Sequence, residues 1–166
     1  MAKPKLKLQT SCRADTANLL KKAVAKYYTK KRFAVFFELG LNRRGRLRAD
    51  VFAFSFKQEV VVIEVKSSLA DFRTDKKFQD YHEYCNKLYI ATTVEVAAKI
   101  KDTLPPKVGL FVIDGTKLVC KKPARSVELC PTILENLTTR MIFRNADNCN
   151  RRNATKNLKV QDADQE

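Results

Sequence analysis

Hydrophobic and polar positions follow one another along the chain in a pattern that predicts alternating helices and strands. Leu20, Val24 and other apolar positions recur at helical spacing, which predicts a first helix over residues 13–32. Runs rich in Val, Ile and Phe predict strands over residues 33–41, 51–56, 60–63, 88–92, 108–113 and 117–121. Further helices are predicted from residues 71–75 to about 86, over 93–104, and from 131 onward. The predicted fold class is α/β, with a mixed central β-sheet flanked by helices.

The second and third strands are apolar on both faces, which predicts that they lie near the centre of the sheet as a hairpin. Only Lys57 and Gln58 separate them, and no Gly is present for a tight two-residue turn. An odd loop of three or five residues is therefore favoured. Such a loop places Asp50 opposite Glu64, with Lys66 on the same face, whereas a two-residue loop would put the two carboxylates on opposite faces.

Two carboxylates that face each other across a strand pair repel unless a cation joins them. Directly opposed Cβ atoms lie about 4.5–5.5 Å apart in such a pair. Carboxylate oxygens are also the ligands that hard divalent cations prefer. Asp50 and Glu64, with Lys66 beside them, therefore predict a divalent-metal site.

Asp50 and the run Glu64-Val65-Lys66 resemble the signature of the PD-(D/E)XK nuclease superfamily. Ala49 takes the place of the proline that gives the signature its first letter. The resemblance implies a restriction-endonuclease-like fold and metal-dependent cleavage of phosphodiester bonds. It also implies that Asp50, Glu64 and the Val65 carbonyl hold Mg²⁺, with Mn²⁺ as a substitute, and that Lys66 orients the attacking water.

Many members of that superfamily carry a further acidic residue that holds the metal through water. The first helix, where this residue usually lies, offers only Asp15. Glu38, near the end of the first predicted strand, is therefore the preferred candidate. A solvent-facing glutamate on an edge strand is an equally weighted alternative.

More specifically, the chain resembles the MmcB-like DNA-repair proteins of this superfamily. The similarity extends over residues 13–144 and is carried by residues 48–50, 63–75, 77–81 and 85–91. The chain departs from the family pattern in having Phe78 where Trp is expected and Asn86 where Asp is expected. In this family the segment after the third strand borders the active site, so Lys77, Gln79 and Tyr81 are candidate contacts to the scissile phosphate. Tyr81 could equally belong to the core.

Basic residues outnumber acidic ones, with 33 Lys and Arg against 18 Asp and Glu, so the net charge is +15. This excess favours a polyanionic partner such as DNA. The loop that leads into Asp50 contains arginines, whose forked side chains suit phosphate geometry: Arg43, Arg44, Arg46 and Arg48. A solvated basic loop is the alternative for this cluster.

The two ends of the chain differ in composition from its middle. Residues 1–10 are rich in Lys and predict a basic strap, residues 145–166 predict a disordered tail, and residues 11–144 are predicted to form the nuclease-like domain. The five cysteines form an odd set without metal-ligand spacing, and no apolar run is long enough to span a membrane. We therefore expect a cytoplasmic, nucleoid-associated protein with no membrane partner.

The site and the resemblance together predict a Mg²⁺-dependent endodeoxyribonuclease that acts in DNA repair or processing. The alternative is a nucleic-acid-binding protein that keeps the nuclease-like fold without cutting. An Asp, a Glu and a Lys kept together in an apolar hairpin favour the enzyme, because binding alone does not require them. The sequence leaves the structure of the substrate and the oligomeric state open.

Overall fold

A six-stranded mixed β-sheet is the centre of the fold. The computed structural model describes residues 13–42, 46–75 and 77–163. The strands lie side by side in chain order and are β1 Ala34–Gly40, β2 Arg48–Phe54, β3 Val60–Lys66, β4 Lys87–Thr93, β5 Gly109–Asp114 and β6 Lys117–Lys122. β1, β2 and β3 are antiparallel, β3, β4 and β5 are parallel, and β6 is antiparallel to β5. The predicted α/β class is confirmed, and the sheet is consistent with a restriction-endonuclease-like fold.

The helices of the described chain are α1 Arg13–Lys30, α2 Leu69–Thr74, a 3-10 helix at Phe78–Tyr84, α3 Val94–Ile100 and α4 Pro131–Ala163. α1 packs on one face of the sheet through Leu20, Val24 and Tyr28, the apolar stripe that its spacing predicted. On the strands, Val51 and Ile63 face this helix. Because side chains alternate along a strand, the residues next to them point to the opposite face.

The segment after β3 contains two short helices where the sequence predicted one continuous helix. Ser68 caps α2 by accepting a hydrogen bond from the Asp71 amide, so the helix begins before the predicted start. α2 ends at Thr74, and Asp75 takes an extended conformation with φ −83° and ψ 100°. The prediction of one helix was wrong because the Asp75 side chain turns back to an ion pair with Lys66.

The chain divides into two compact units, Met1–Leu129 and Cys130–Glu166, and α4 belongs to the second. Its first turn begins at Pro131 as predicted, and the Cys130 carbonyl accepts the amides of Ile133 and Leu134. The helix then continues to Ala163 past residue 145, where a disordered tail was predicted. Residues 145–163 contain neither Pro nor Gly to end it. The predicted basic strap, residues 1–10, lies outside the described residues, and the predicted limits of the domain stay a prediction.

Phe111→Ala is expected to lower the free energy of unfolding by about 3–5 kcal/mol, since a buried ring packed on Tyr27, Tyr28 and Tyr89 is lost. Chemical unfolding in urea measures the change. Phe56→Ala is the matched control: Phe56 is 93% exposed in the β2–β3 loop, so its removal should change stability by less than about 0.5 kcal/mol. A loss below about 1 kcal/mol for Phe111→Ala would contradict this core.

Candidate active site

β2 and β3 pair in the register that the sequence predicted. The hairpin closes with the Ser55 amide donating to the Glu59 carbonyl (3.0 Å), so the loop between them is odd. Gln58 supplies the left-handed conformation (φ 62°) that three-residue hairpin loops use. Continuing this register beyond the last ladder pair places Asp50 opposite Glu64.

The carboxylates of Asp50 and Glu64 both accept hydrogen bonds from backbone amides across the strand pair. The Asp50 amide donates to Glu64 Oε1 (3.2 Å), and the Val65 amide donates to Asp50 Oδ2 (2.9 Å). Each carboxylate therefore accepts a backbone N–H from the partner strand. The Glu64 residue is only 4% exposed, whereas Asp50 is half-buried. The hairpin brings the two predicted metal ligands together and leaves Asp50 as the more accessible of them.

The Glu64 carboxyl is the most perturbed acid of the site. Burial raises its pKa to about 8, and the nearby Asp50 charge adds to this effect. The Lys66 ammonium opposes the shift without cancelling it. At neutral pH the metal-free protein therefore favours the protonated form of Glu64, because two adjacent carboxylates cannot both ionise cheaply beside an apolar core.

Lys66 follows Glu64 by two residues on the same face of β3 and is 5% exposed. Its Nζ lies 3.7 Å from Glu64 Oε2 and forms an ion pair with Asp75 Oδ2. Burial acts to lower the pKa of Lys66, but the hydrogen bond to Asp75 and the Glu64 charge outweigh it, so this pKa is raised. The Lys66 ammonium is thus a cation held between Glu64 and Asp75.

Asp75 is a residue of the site that sequence reasoning assigned only to the start of a helix. Burial acts to raise its pKa, but the hydrogen bonds from Lys66 and from the Lys77 amide outweigh this, so its pKa is lowered. Because it remains ionised, it holds the Lys66 ammonium in place. The sequence does show an acidic residue, Asp75, directly after α2. Its partner Lys66 lies nine residues earlier, on the other side of α2, so the local pattern does not identify the pair.

Glu38 lies in the same row as Asp50, one strand further out. Its neighbours on β1, Phe37 and Leu39, pair with Val51 and Ala49, and Glu38 itself interrupts the ladder with φ 52°. The row across β1, β2 and β3 therefore carries three acidic residues, Glu38, Asp50 and Glu64, which form the acidic row of the site. Within the described parts of the chain, however, no three His, Cys, Asp or Glu side chains come close enough together to hold a metal ion.

A lysine from α1 lies between the first two acids of this row. Lys21 Nζ forms an ion pair with Glu38 Oε1 and lies 3.0 Å from Asp50 Oδ1. Arg48 Nε contacts the other Glu38 oxygen at 2.9 Å. Burial acts to lower the pKa of Lys21, but its two carboxylate partners outweigh burial and raise this pKa. The role of Glu38 as a metal ligand stays a prediction.

The spacing of the apolar positions in the first helix predicts that Lys21 lies on the opposite face, together with Lys22, Lys26, Lys30 and Lys31. The structure shows it half-buried, whereas Lys22 is exposed. The available signal was its position beside Leu20 and one turn before Val24, the stripe that contacts the sheet. Its two carboxylate partners lie on strands far along the chain, so helical spacing alone did not identify them.

The predicted arginine cluster is only partly described. Arg43 and Arg44 lie outside the described residues, while the Arg46 amide donates to Asn42 Oδ1 (3.1 Å) and its side chain is exposed. The Arg48 side chain is 64% exposed although it pairs with Glu38. Arg46 and Arg48 thus present positive charge at the entrance to β2.

The three candidate phosphate contacts after β3 differ in exposure. Lys77 and Gln79 are exposed near Asp75. Tyr81 is buried, and its hydroxyl donates to the Arg48 carbonyl (3.1 Å). This placement favours the core alternative for Tyr81, which then supports the start of β2 rather than offering a free surface group.

In EDTA, the melting temperature is expected to fall as pH rises from 5 to 8.5. The folded-state pKa of Glu64 is raised above its unfolded value, so between pH 4.5 and 8 the folded protein binds more protons than the unfolded chain and loses stability as pH rises. Glu64→Gln should flatten this slope, and differential scanning fluorimetry measures it. Glu83→Gln, which removes an exposed carboxylate, is the control, and an equal slope in wild type and Glu64→Gln would contradict the prediction.

Comparison with known proteins supports one family. A family model described as DNA repair protein MmcB-like matches residues 5–156. A solved structure of a Silicibacter pomeroyi protein of unknown function is similar, with a TM-score of 0.72, 30% sequence identity, and coverage of 87% of this chain and 91% of that chain. A search of curated proteins gave no match. No described helix is long and apolar enough to cross a membrane. Because the family model covers most of the sequence, the chain belongs to the MmcB-like family of DNA repair proteins.

Proposed function

We propose that the chain is a metal-dependent endodeoxyribonuclease of the PD-(D/E)XK superfamily that hydrolyses phosphodiester bonds in DNA repair or processing. Membership in the family already indicates a DNA-related role. The observation that supports the finer proposal is the facing pair of Asp50 and Glu64, with the buried Lys66 ammonium 3.7 Å from Glu64. Paired carboxylates beside a fixed cation suit hydrolysis of a phosphodiester bond.

The residues present fit a hard divalent cation. The side-chain donors are carboxylate oxygens, which suit Mg²⁺ and Mn²⁺. Burial and the Asp50 charge raise the pKa of Glu64, so a cation that joins the two carboxylates would take the place of the proton and compensate the second negative charge. Asp50, Glu64 and the Val65 carbonyl would hold the ion. When bound, it would polarise the scissile phosphate and lower the pKa of the attacking water.

Lys66 contributes a positive charge that is in place before substrate binds. An ammonium has three N–H donors, and only one is needed for the ion pair with Asp75. The remaining donors can orient a water or a phosphate oxygen next to Glu64. Because the side chain is buried and held, little reorganisation is needed as negative charge develops on the phosphate.

The exposed basic residues near the hairpin supply sequence-independent affinity for DNA. Arg46, Arg48 and Lys77 are exposed around the strand ends that carry the carboxylates. Their charges are part of the overall excess of +15. Contacts of this kind neutralise phosphates and release counterions, so they position the backbone without selecting a base sequence.

One observation favours the second candidate, a DNA-binding protein that does not cut. Lys21 already pairs with both Glu38 and Asp50, so part of the acidic row is neutralised without a metal ion. A site whose carboxylates are all matched by lysines could serve only to hold the fold together. Glu64, whose pKa is raised despite Lys66, is the member of the row that this arrangement leaves unmatched.

Asp50→Asn and Lys66→Met are each expected to lower Mg²⁺-dependent cleavage by about 100-fold or more, since the first removes a proposed metal ligand and the second removes the ammonium that would orient the water or phosphate. DNA affinity should change by less than about tenfold, because one contact among many is lost. Labelled single strands, duplexes and junctions incubated with Mg²⁺, Mn²⁺ or EDTA measure both quantities.

Glu83→Gln is the control for these variants, because it removes an exposed carboxylate from the 3-10 helix. Wild-type cleavage in Lys66→Met would rule out the role of Lys66. Metal-dependent binding without cleavage of any substrate in the wild type would favour the non-cutting alternative.

Neutralising Arg46 and Lys77 together is expected to weaken binding to all DNA sequences alike. The slope of log affinity against log salt should become shallower by up to about 2, as two phosphate contacts are lost. Fluorescence anisotropy at several salt concentrations measures the slope. The matched control neutralises Lys117 and Lys121 on β6, at the other edge of the sheet, and should leave the slope unchanged. Selective loss for one sequence would show that Arg46 or Lys77 reads bases.

A further inference from the structure

We propose that Lys21 is a built-in counter-ion of the acidic row, which holds Glu38 and Asp50 in the metal-free protein and lowers the affinity of the site for divalent cations. This inference rests on the proposed metal-dependent function and identifies a residue that regulates it. The geometry that carries it is the position of one ammonium between two carboxylates on neighbouring strands. Lys21 Nζ pairs with Glu38 Oε1 and lies 3.0 Å from Asp50 Oδ1.

The acidic row contains two gaps between neighbouring carboxylates, one between Glu38 and Asp50 and one between Asp50 and Glu64. Different groups of the protein lie in each gap. In the gap between β1 and β2, the Lys21 ammonium contacts both Glu38 and Asp50. In the gap between β2 and β3, Asp50 and Glu64 meet only through backbone amides, and Lys66 approaches Glu64 from one side. An ammonium thus contacts both carboxylates of the first gap, whereas Lys66 contacts only one carboxylate of the second.

Glu38 forms ion pairs with two basic residues of the protein. One of its oxygens contacts Lys21, and the other contacts Arg48 Nε at 2.9 Å. Both oxygens thus have a cationic partner within the protein. In this proposal Glu38 holds the lysine in position.

Lys21 affects the metal through the Asp50 carboxylate that both would share. Its ammonium occupies Asp50 Oδ1, while Oδ2 accepts the Val65 amide. An ion bound by Asp50 would lie within several ångströms of this ammonium, and like charges at that distance repel even at the effective dielectric constant of a protein surface. The Lys21 ammonium therefore stabilises the carboxylates of Glu38 and Asp50 in the metal-free protein. It also raises the metal concentration that is needed to fill the site.

The test is the affinity of the purified full chain for Mn²⁺ alone, followed by the electron paramagnetic resonance signal of free Mn²⁺. Lys21→Met keeps the length of the side chain and removes its charge. It should bind Mn²⁺ about tenfold more tightly than the wild type or better, because a unit positive charge near the ion is lost. Lys21→Arg, which keeps the charge, and Lys22→Met, which removes an exposed charge from the same helix, should bind as the wild type does.

A second readout needs no metal. In EDTA, Lys21→Met should melt several degrees below the wild type, since Glu38 and Asp50 lose their shared partner. Combining it with Glu38→Gln should cost less than the sum of the two single changes, because the two residues act as a pair. Lys21→Gln serves if Lys21→Met does not fold.

The outcomes separate this inference from the proposed function. Unchanged or weaker Mn²⁺ binding in Lys21→Met or Lys21→Gln would overturn the counter-ion role alone and leave the nuclease in place. Absence of Mn²⁺ binding in the wild type and in both variants would overturn the inference and the metal-dependent nuclease together. Binding that appears only when Lys21 is neutralised would support the inference in its strongest form.

Discussion

The site depends on the free-energy cost of holding Asp50 and Glu64 against each other beside an apolar core. Two like charges placed there repel and lose hydration, which is unfavourable unless other groups compensate. The chain compensates with backbone donors to both carboxylates, with Lys66 near Glu64, and with Lys21 on Asp50. A raised pKa lets Glu64 take up a proton as well. These donors and cations surround the pair on both strands.

The sheet prevents the pair from separating. Val51, Ile63 and Val65 are buried against α1, so the residues that alternate with them are forced to the other face. A slip of one residue between β2 and β3 would turn this apolar set away from α1 and move the acids into the α1 core. The packing energy of the core thus maintains a local arrangement that electrostatics alone would disfavour.

Sequence reasoning predicted the features that follow from local rules. The odd loop and the alternation along β2 and β3 were enough to place Asp50 opposite Glu64, because a period of two and the absence of Gly leave few alternatives. It missed the contacts of Lys21 and Asp75, which depend on how separate elements meet in space. The break between α2 and the 3-10 helix has the same origin, since Asp75 leaves the helix to pair with Lys66. Propensity within a segment cannot report a partner outside it.

The two lysines of the site differ in how firmly they are fixed, and this difference separates their roles. Lys66 is buried, lies two residues from Glu64 and is held by Asp75, so its ammonium is fixed in the protein without ligands. Lys21 is half-buried on a long flexible stem, so its ammonium can move away from Asp50 at a smaller cost. A site balanced only by fixed lysines would attract a metal ion weakly, whereas a site without Lys21 would leave the carboxylates of Glu38 and Asp50 without their shared cation. In the proposed nuclease, a fixed charge for the chemistry and a displaceable charge in the metal-free protein would let one hairpin remain folded when empty and still accept a cation.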